Sequence, residues 1–163
     1  MATQVWDVRT EAGFMACYRV TLPEVFRYAA MLCGSDRPLA EDVVQDVYLA
    51  ALGKAREGSL TELSVGYLVV AVRHRHLDRL RATHREERRL QLVSSLPVNE
   101  VQRGVPSLLA ALPERERTAL VLRYVDDLTV AQVAKEVGIS TRAAESLLAR
   151  ATRRLRNQEV RDA

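Results

Sequence analysis

Residues 128–156 read LTVAQVAKEVGISTRAAESLLARATRRLR. Thr129 and Gln132 have the spacing of a capping box, in which each side chain satisfies the other's exposed backbone donor. Val130, Val133, Ala134 and Val137 recur as the apolar face of one short helix. Gly138 stands where a helix end needs a left-handed residue, and Ser140 is placed to cap the next helix. Two short helices joined by a tight glycine-containing turn make a helix-turn-helix.

The last helix of this stretch divides cleanly at about 100° per residue. Ala144, Leu147, Leu148, Ala151 and Leu155 fall together and predict a buried stripe. Arg142, Ser146, Ala149, Arg150 and Arg153 fall on the opposite side. A recognition helix needs this division, since one stripe anchors it and the other enters the major groove. Arginine there hydrogen-bonds guanine edges or phosphates, and serine serves either. A solvated basic surface is the plainer reading of an isolated arginine face. The capped helix and glycine turn in front of it favour DNA. Glu145, at the edge of the face, either accepts from a cytosine amino group or pairs with a neighbouring arginine.

Upstream, helical periodicity continues without a convincing alternating strand. A first helix is expected from Glu11 to Leu32, with Pro23 inside it. A second is expected from Leu39 to about Lys54, with Pro38 in its first turn, and a third from about Val65 to Arg89. Residues 91–106, QLVSSLPVNEVQRGVP, hold two prolines and a glycine and read as a linker. SLLAALPERERTALVLRYVDD, from Ser107, gives a short helix, a proline break and a second helix. The fold class is therefore all-α: two small helical domains, residues 11–90 and 107–160, joined by the linker 91–106. The rear one is a helix-turn-helix without a wing.

Composition agrees. Hydrophobic residues make up 48% of the 163 and aromatics only 5%, which suits small helical cores better than a β-sandwich. The net charge of +3 is unevenly spread. Residues 1–65 hold 6 basic and 9 acidic side chains, residues 66–103 hold 8 and 4, and residues 104–163 hold 10 and 8. An acidic front and basic rear imply two kinds of partner surface. Cys17 and Cys33 lack C-x-x-C spacing and form no metal set with His74, His76 and His84, so free buried thiols are expected. No metal, cofactor or enzymatic constellation is expected: there is no phosphate-cradling glycine loop and no Ser/His/Asp arrangement. The opening MATQVWDVRTEAG has no basic-then-apolar leader, and no apolar run is long enough for a bilayer, so a cytoplasmic location is expected.

Two further helices carry patterned faces. In LAEDVVQDVYLAAL, Val43, Val44, Val47, Ala50 and Ala51 share one side, and Asp42, Gln45, Asp46 and Leu49 share the other. A leucine amid carboxylates and an amide suits docking to a basic helix, or is a harmless exposed leucine. In SVGYLVVAVRHRHLDRLRATHREERR, Leu68, Val69, Val72, His76 and Leu80 cluster, which makes His76 a core histidine. Tyr67, Ala71, His74, Asp78 and Arg81 lie roughly opposite. An aromatic followed by basic groups suits an unpaired base and its backbone, and equally suits a half-buried tyrosine.

Taken in order, AEDVVQDVYLAAL, YLVVAVRHRHLDRLR and LPERERTALVLRYVDDLTVAQVAKEVGIS…SLLARATRRLR resemble an extracytoplasmic-function sigma factor of bacterial RNA polymerase, the minimal two-domain type of the sigma-70 family. The resemblance runs from about Cys17 to Arg156. It implies that Asp42, Gln45, Asp46 and Leu49 bind the clamp helices of the polymerase β′ subunit, with the β subunit as a second contact. It implies that the loop of about Gly53 to Gly66 and the helix after it, with Tyr67, Arg73, His74, Asp78 and Arg81, melt the −10 element and capture a flipped base. Flipping costs a few kcal/mol, which flanking cations and a pocket must offset. It implies that Ser140, Thr141, Arg142, Ser146, Arg150 and Arg153 bind the −35 element, that residues 91–106 thread towards the RNA exit path, and that an anti-sigma factor is a further partner. Tyr67 stands where the family usually has Trp, and His74 where it often has Asn. Ala143, Glu145 and Leu147 replace the common Thr, Lys and Arg. The −10 and −35 preferences are therefore this chain's own. The competing readings are a stand-alone helix-turn-helix regulator of duplex DNA, which needs no acidic docking helix, and a decoy for an anti-sigma protein, which leaves the arginine face unused.

Overall fold

The structure, a computed structural model, describes residues 4–34, 36–90 and 107–162; the expected linker 91–106 lies outside them. In chain order the elements are strand β1 (Val5–Asp7), helices α1 (Glu11–Cys33) and α2 (Arg37–Arg56), strand β2 (Glu62–Ser64), and helices α3 (Val65–Leu90), α4 (Ser107–Ala110), α5 (Glu114–Tyr124), α6 (Val130–Val137) and α7 (Thr141–Asp162). The class is all-α, and the first three helices start and stop within two residues of their expected bounds. The two strands are a correction. They pair antiparallel with Val5 opposite Ser64, Trp6 opposite Leu63 and Asp7 opposite Glu62. Three residues are too few for alternation to show in the sequence. Gly13 permits this return of the chain: a Cβ there would lie 2.0 Å from the Asp7 carbonyl oxygen.

The chain forms two compact units. The first comprises residues 1–30 and 37–76, and the second residues 31–36 and 77–163. The division between these units falls inside α1 and α3. The reason is apolar: Leu77 and Leu80 are buried in one cluster with Leu112, Leu120, Leu122, Val133 and Leu148.

In the first unit, Val43, Val44, Val47 and Ala51 of α2 pack inward with Leu63, Leu68 and Val72. Tyr48 takes the inward place expected of Ala50, which is exposed. Its hydroxyl lies 2.7 Å from the Thr21 hydroxyl, which also donates to the Cys17 carbonyl at 2.7 Å. The Tyr18 ring meets Tyr48 edge-on at 4.8 Å between centroids. Burial pushes the Tyr48 phenol up to about 12. His76 is fully buried, as expected for a core histidine.

In the second unit the expected stripe of α7 is buried at Ala144, Leu147, Leu148 and Ala151, with Leu155 half-buried. Arg117 is a buried cation held by carbonyls: Nε donates to Leu32 at 2.9 Å and Nη1 to Leu112 at 3.0 Å. Leu32 lies in the last turn of α1, where a cation complements the helix dipole. Burial lowers the Arg117 pKa below its ordinary value. Both cysteines are buried and outside any disulfide, and desolvation pushes the Cys33 thiol up to about 12, away from the thiolate form.

Candidate nucleic-acid interface

The turn between α6 and α7 is built as the residues dictate. Gln132 N donates to the Thr129 hydroxyl at 3.2 Å, and Thr129 N to Gln132 Oε1 at 2.8 Å. Gly138 adopts φ 77° and ψ 38°. Gly138 N and Ile139 N both reach the Ala134 carbonyl at 2.9 Å and close the end of α6. Ser140 Oγ accepts from Ala143 N at 3.1 Å and starts α7. That hydroxyl is a structural cap, so within the expected −35 set Ser140 holds the helix rather than offering a free side chain.

Along α7, Arg142, Ser146, Ala149 and Arg153 are exposed in one line. Arg150 is also exposed and stands about 60° round the helix from Arg153, given 100° per residue. It borders a cleft with Pro113, Glu114 and His84. Ser146 Oγ donates back to the Arg142 carbonyl at 3.0 Å. Arg154, beside the face, is anchored by Glu116 at 3.1 Å. Leu147 is buried, so its departure from the family pattern is a core position and not a groove contact. Glu145 lines an open cleft with Arg123, Tyr124, Arg153 and Arg156, but among the described residues no ion pair to it forms.

The face of α2 is exposed as expected at Asp42, Gln45, Asp46 and Leu49. Leu49 is 58% exposed, a large apolar side chain in water. With Asp42 and Gln45 it borders a groove of about 800 Å³ floored by Met15, Tyr18, Leu22 and Phe26. Asp46 lies outside that groove and faces α3. Its Oδ2 accepts from Arg75 Nη2 at 2.6 Å and from Arg75 Nε at 3.1 Å. Arg75 belongs to no pattern the sequence offered, because it is one cation among many in VRHRHLDRLR.

The candidate residues of α3 divide. In the first unit Tyr67 is 38% exposed and accepts from Lys54 Nζ at 3.3 Å, and His74 is exposed. Arg73 is half-buried and about 100° round the helix from His74, so it does not share the Tyr67 and His74 stripe. In the second unit Asp78 accepts from Arg81 at 3.3 Å. Arg81 also donates to the Glu136 carbonyl at the end of α6. The structure therefore places Arg81 against the helix-turn-helix turn instead of leaving it open.

Residues 103–155 match the family model described as sigma-70, region 4. Over those residues the rear domain is similar to sigma-70 region 4. The RNA polymerase sigma factor SigF of Mycobacterium tuberculosis is 57% identical over 51 residues, which are 31% of this chain and 20% of that protein. The RNA polymerase sigma-F factor of Kitasatospora aureofaciens is 47% identical over 53 residues, 32% of this chain and 18% of that protein. The matched part thus spans about a fifth of the length of these relatives. A solved structure of the sigma factor RpoE in complex with the anti-sigma factor NepR from Bartonella quintana has a similar fold, with TM-score 0.50 and 23% identity. It covers 88% of this chain and 94% of that one, so the likeness in fold reaches well beyond region 4. The matched residues include α4, α5, α6 and most of α7. Among the described residues no helix is long and apolar enough to cross a membrane, and no group of three or more His, Cys, Asp or Glu is placed to hold a metal ion.

Proposed function

We propose that this chain is an alternative sigma factor of the minimal two-domain type: it binds core RNA polymerase and directs initiation at a restricted promoter set. The region 4 match over the capped helix-turn-helix, with an arginine line on its second helix, carries this reading. Residues 11–90 act on the polymerase and the −10 element, and residues 107–160 on the −35 element.

On the rear helix, Arg142 lies near the N-terminus, where recognition helices meet base edges. Arg142 and Ser146 read bases; Arg150 and Arg153 hold phosphates. On α2, the polymerase β′ clamp helices meet Asp42, Gln45, Asp46 and Leu49. Tyr67 and His74 face the melted −10 strand, where an aromatic stacks on an unpaired base. Such a factor is a specificity subunit without chemistry of its own, acts in the cytoplasm and is held in check by an anti-sigma protein. The experiment is run-off transcription with purified bacterial core polymerase over a randomised promoter library. Transcripts starting from one enriched promoter class support the reading. Failure to initiate at any site, with tight binding of the free protein to a palindrome, supports the stand-alone regulator instead.

A further inference from the structure

Asp46 and Arg75 join the acidic face of α2 to a cation of α3 that flanks the Tyr67 and His74 stripe. Asp46 belongs to the acidic face of α2, and Arg75 sits on α3 one residue after His74. Both donors of Arg75 converge on the single oxygen Oδ2, at 2.6 and 3.1 Å. The two side chains remain 47% and 58% exposed, so the pair is open to competitors. Arg75 stands about 60° round α3 from Asp78 and 80° from Tyr67. Arg75 thus flanks the Tyr67 and His74 stripe without belonging to it, and once released from Asp46 it is a long cationic side chain beside that stripe. Within the first unit, residues 66–76 of α3 hold Arg73 and Arg75 and no acidic residue, a field that favours a nucleic-acid strand.

We infer that Arg75 is a placeholder: in the free protein it occupies the Asp46 carboxylate, and docking of a basic polymerase helix onto Asp46 hands Arg75 over to a DNA phosphate. This rests on the α2 face being the polymerase-docking surface. Asp46 pairs either with Arg75 or with a polymerase cation, and in the second case Arg75 is left to pair with a phosphate. Loss of the internal pair on docking makes a DNA-binding cation available at that moment. By reciprocity of linked equilibria, DNA then strengthens polymerase binding by the same factor. An exposed pair of this kind is weak, so the effect is a tuning of about two- to fivefold.

The test uses the full chain and purified core polymerase. Affinity for core is measured for wild type, Arg75→Ala, Arg75→Gln, Asp46→Asn and the double variant Arg75→Ala/Asp46→Asn. Thermal melts check that each folds. Arg75→Ala and Arg75→Gln are expected to bind core about two- to fivefold tighter, because Asp46 is freed. In the Asp46→Asn background the Arg75 change is expected to have no effect on core affinity. With core present, Arg75→Ala is expected to lower the salt slope of binding to forked −10 DNA by about one phosphate contact. If Asp46→Asn weakens core binding while both Arg75 variants bind core no tighter than wild type, the docking face stands and the placeholder role is overturned. An unchanged salt slope overturns the hand-over to DNA. If Asp46→Asn leaves core affinity unchanged, the docking assignment falls and the placeholder role falls with it.

Discussion

Helices α2 and α7 are both two-faced, and their exposed faces are made of opposite materials. The α2 face mixes carboxylates with an amide and a leucine 58% exposed, beside an apolar groove of about 800 Å³. The α7 face is arginine, serine and alanine, with no large apolar side chain in its line. A protein partner rewards the first composition, because apolar burial supplies affinity and charge sets register. A phosphate backbone rewards the second, because every contact is to an anion and a bulky apolar group would only be dehydrated without a counterpart. The two faces differ in preparation as well. Asp46 already holds an internal partner, whereas Arg142 and Arg153 point outward from a helix fixed by caps at its start. The lesson is that the same apolar period can carry either recognition chemistry, and that the outward residues alone choose which.

The strongest way to break this contrast is to put the rear chemistry on the front helix. Asp46→Arg reverses a charge at the proposed polymerase contact and is expected to weaken core binding by about 3 kcal/mol or more, with a native circular dichroism spectrum. Normal co-purification with core would end the assignment of α2 as a protein face. Next in size is the removal of one rear arginine. Arg142→Ala should cost about 1–3 kcal/mol in promoter binding and relax preference at one base pair, while Arg153→Ala should weaken all sequences alike and lower the salt slope by about one. Equal behaviour of the two variants in a salt titration over matched and mismatched sites would refute that division of labour.

A smaller effect is expected from Thr129→Ala, which removes half of the capping box. It should destabilise the second unit by about 1 kcal/mol in a thermal melt and leave core affinity of the α2 face intact. An unchanged melting temperature would mean that the cap is redundant. The smallest effect at neutral pH comes from Tyr48. Its phenol is raised from 10.0 to about 12, so the folded state keeps a proton that the unfolded state has lost. Stability is therefore full below about pH 10 and falls as pH rises towards 12. Tyrosinate absorbance should show a titration step near 12, and Tyr48→Phe should remove it. A wild-type titration complete by pH 11 would contradict it.

Local chemistry explains what was readable before the structure. The capping box at Thr129 and Gln132, the left-handed Gly138 and the Ser140 cap each act within three or four residues, so their spacing is their structure. The buried stripe of α7 follows from the helical period alone. The same period misassigned Ala50 and passed over Tyr48, because that choice was made by Thr21, a hydroxyl on another helix. The strands stayed hidden because a three-residue ladder is fixed by its partner and by the space at Gly13. Among candidate site residues, the exposure of Asp42, Gln45, Leu49, Arg142 and Arg153 was legible. The engagement of Arg81 by the Glu136 carbonyl and of Asp46 by Arg75 was not, since both are contacts across long sequence separations that charge alone does not specify.

Trp6 is the chain's single tryptophan, and it sits in β1 opposite Leu63, two residues before α3 begins. Its indole emission is therefore a native optical reporter on the seating of the amino-terminal strand. Any rearrangement of the segment leading into the helix that carries Tyr67 and His74 will shift that signal, without a label or a substitution.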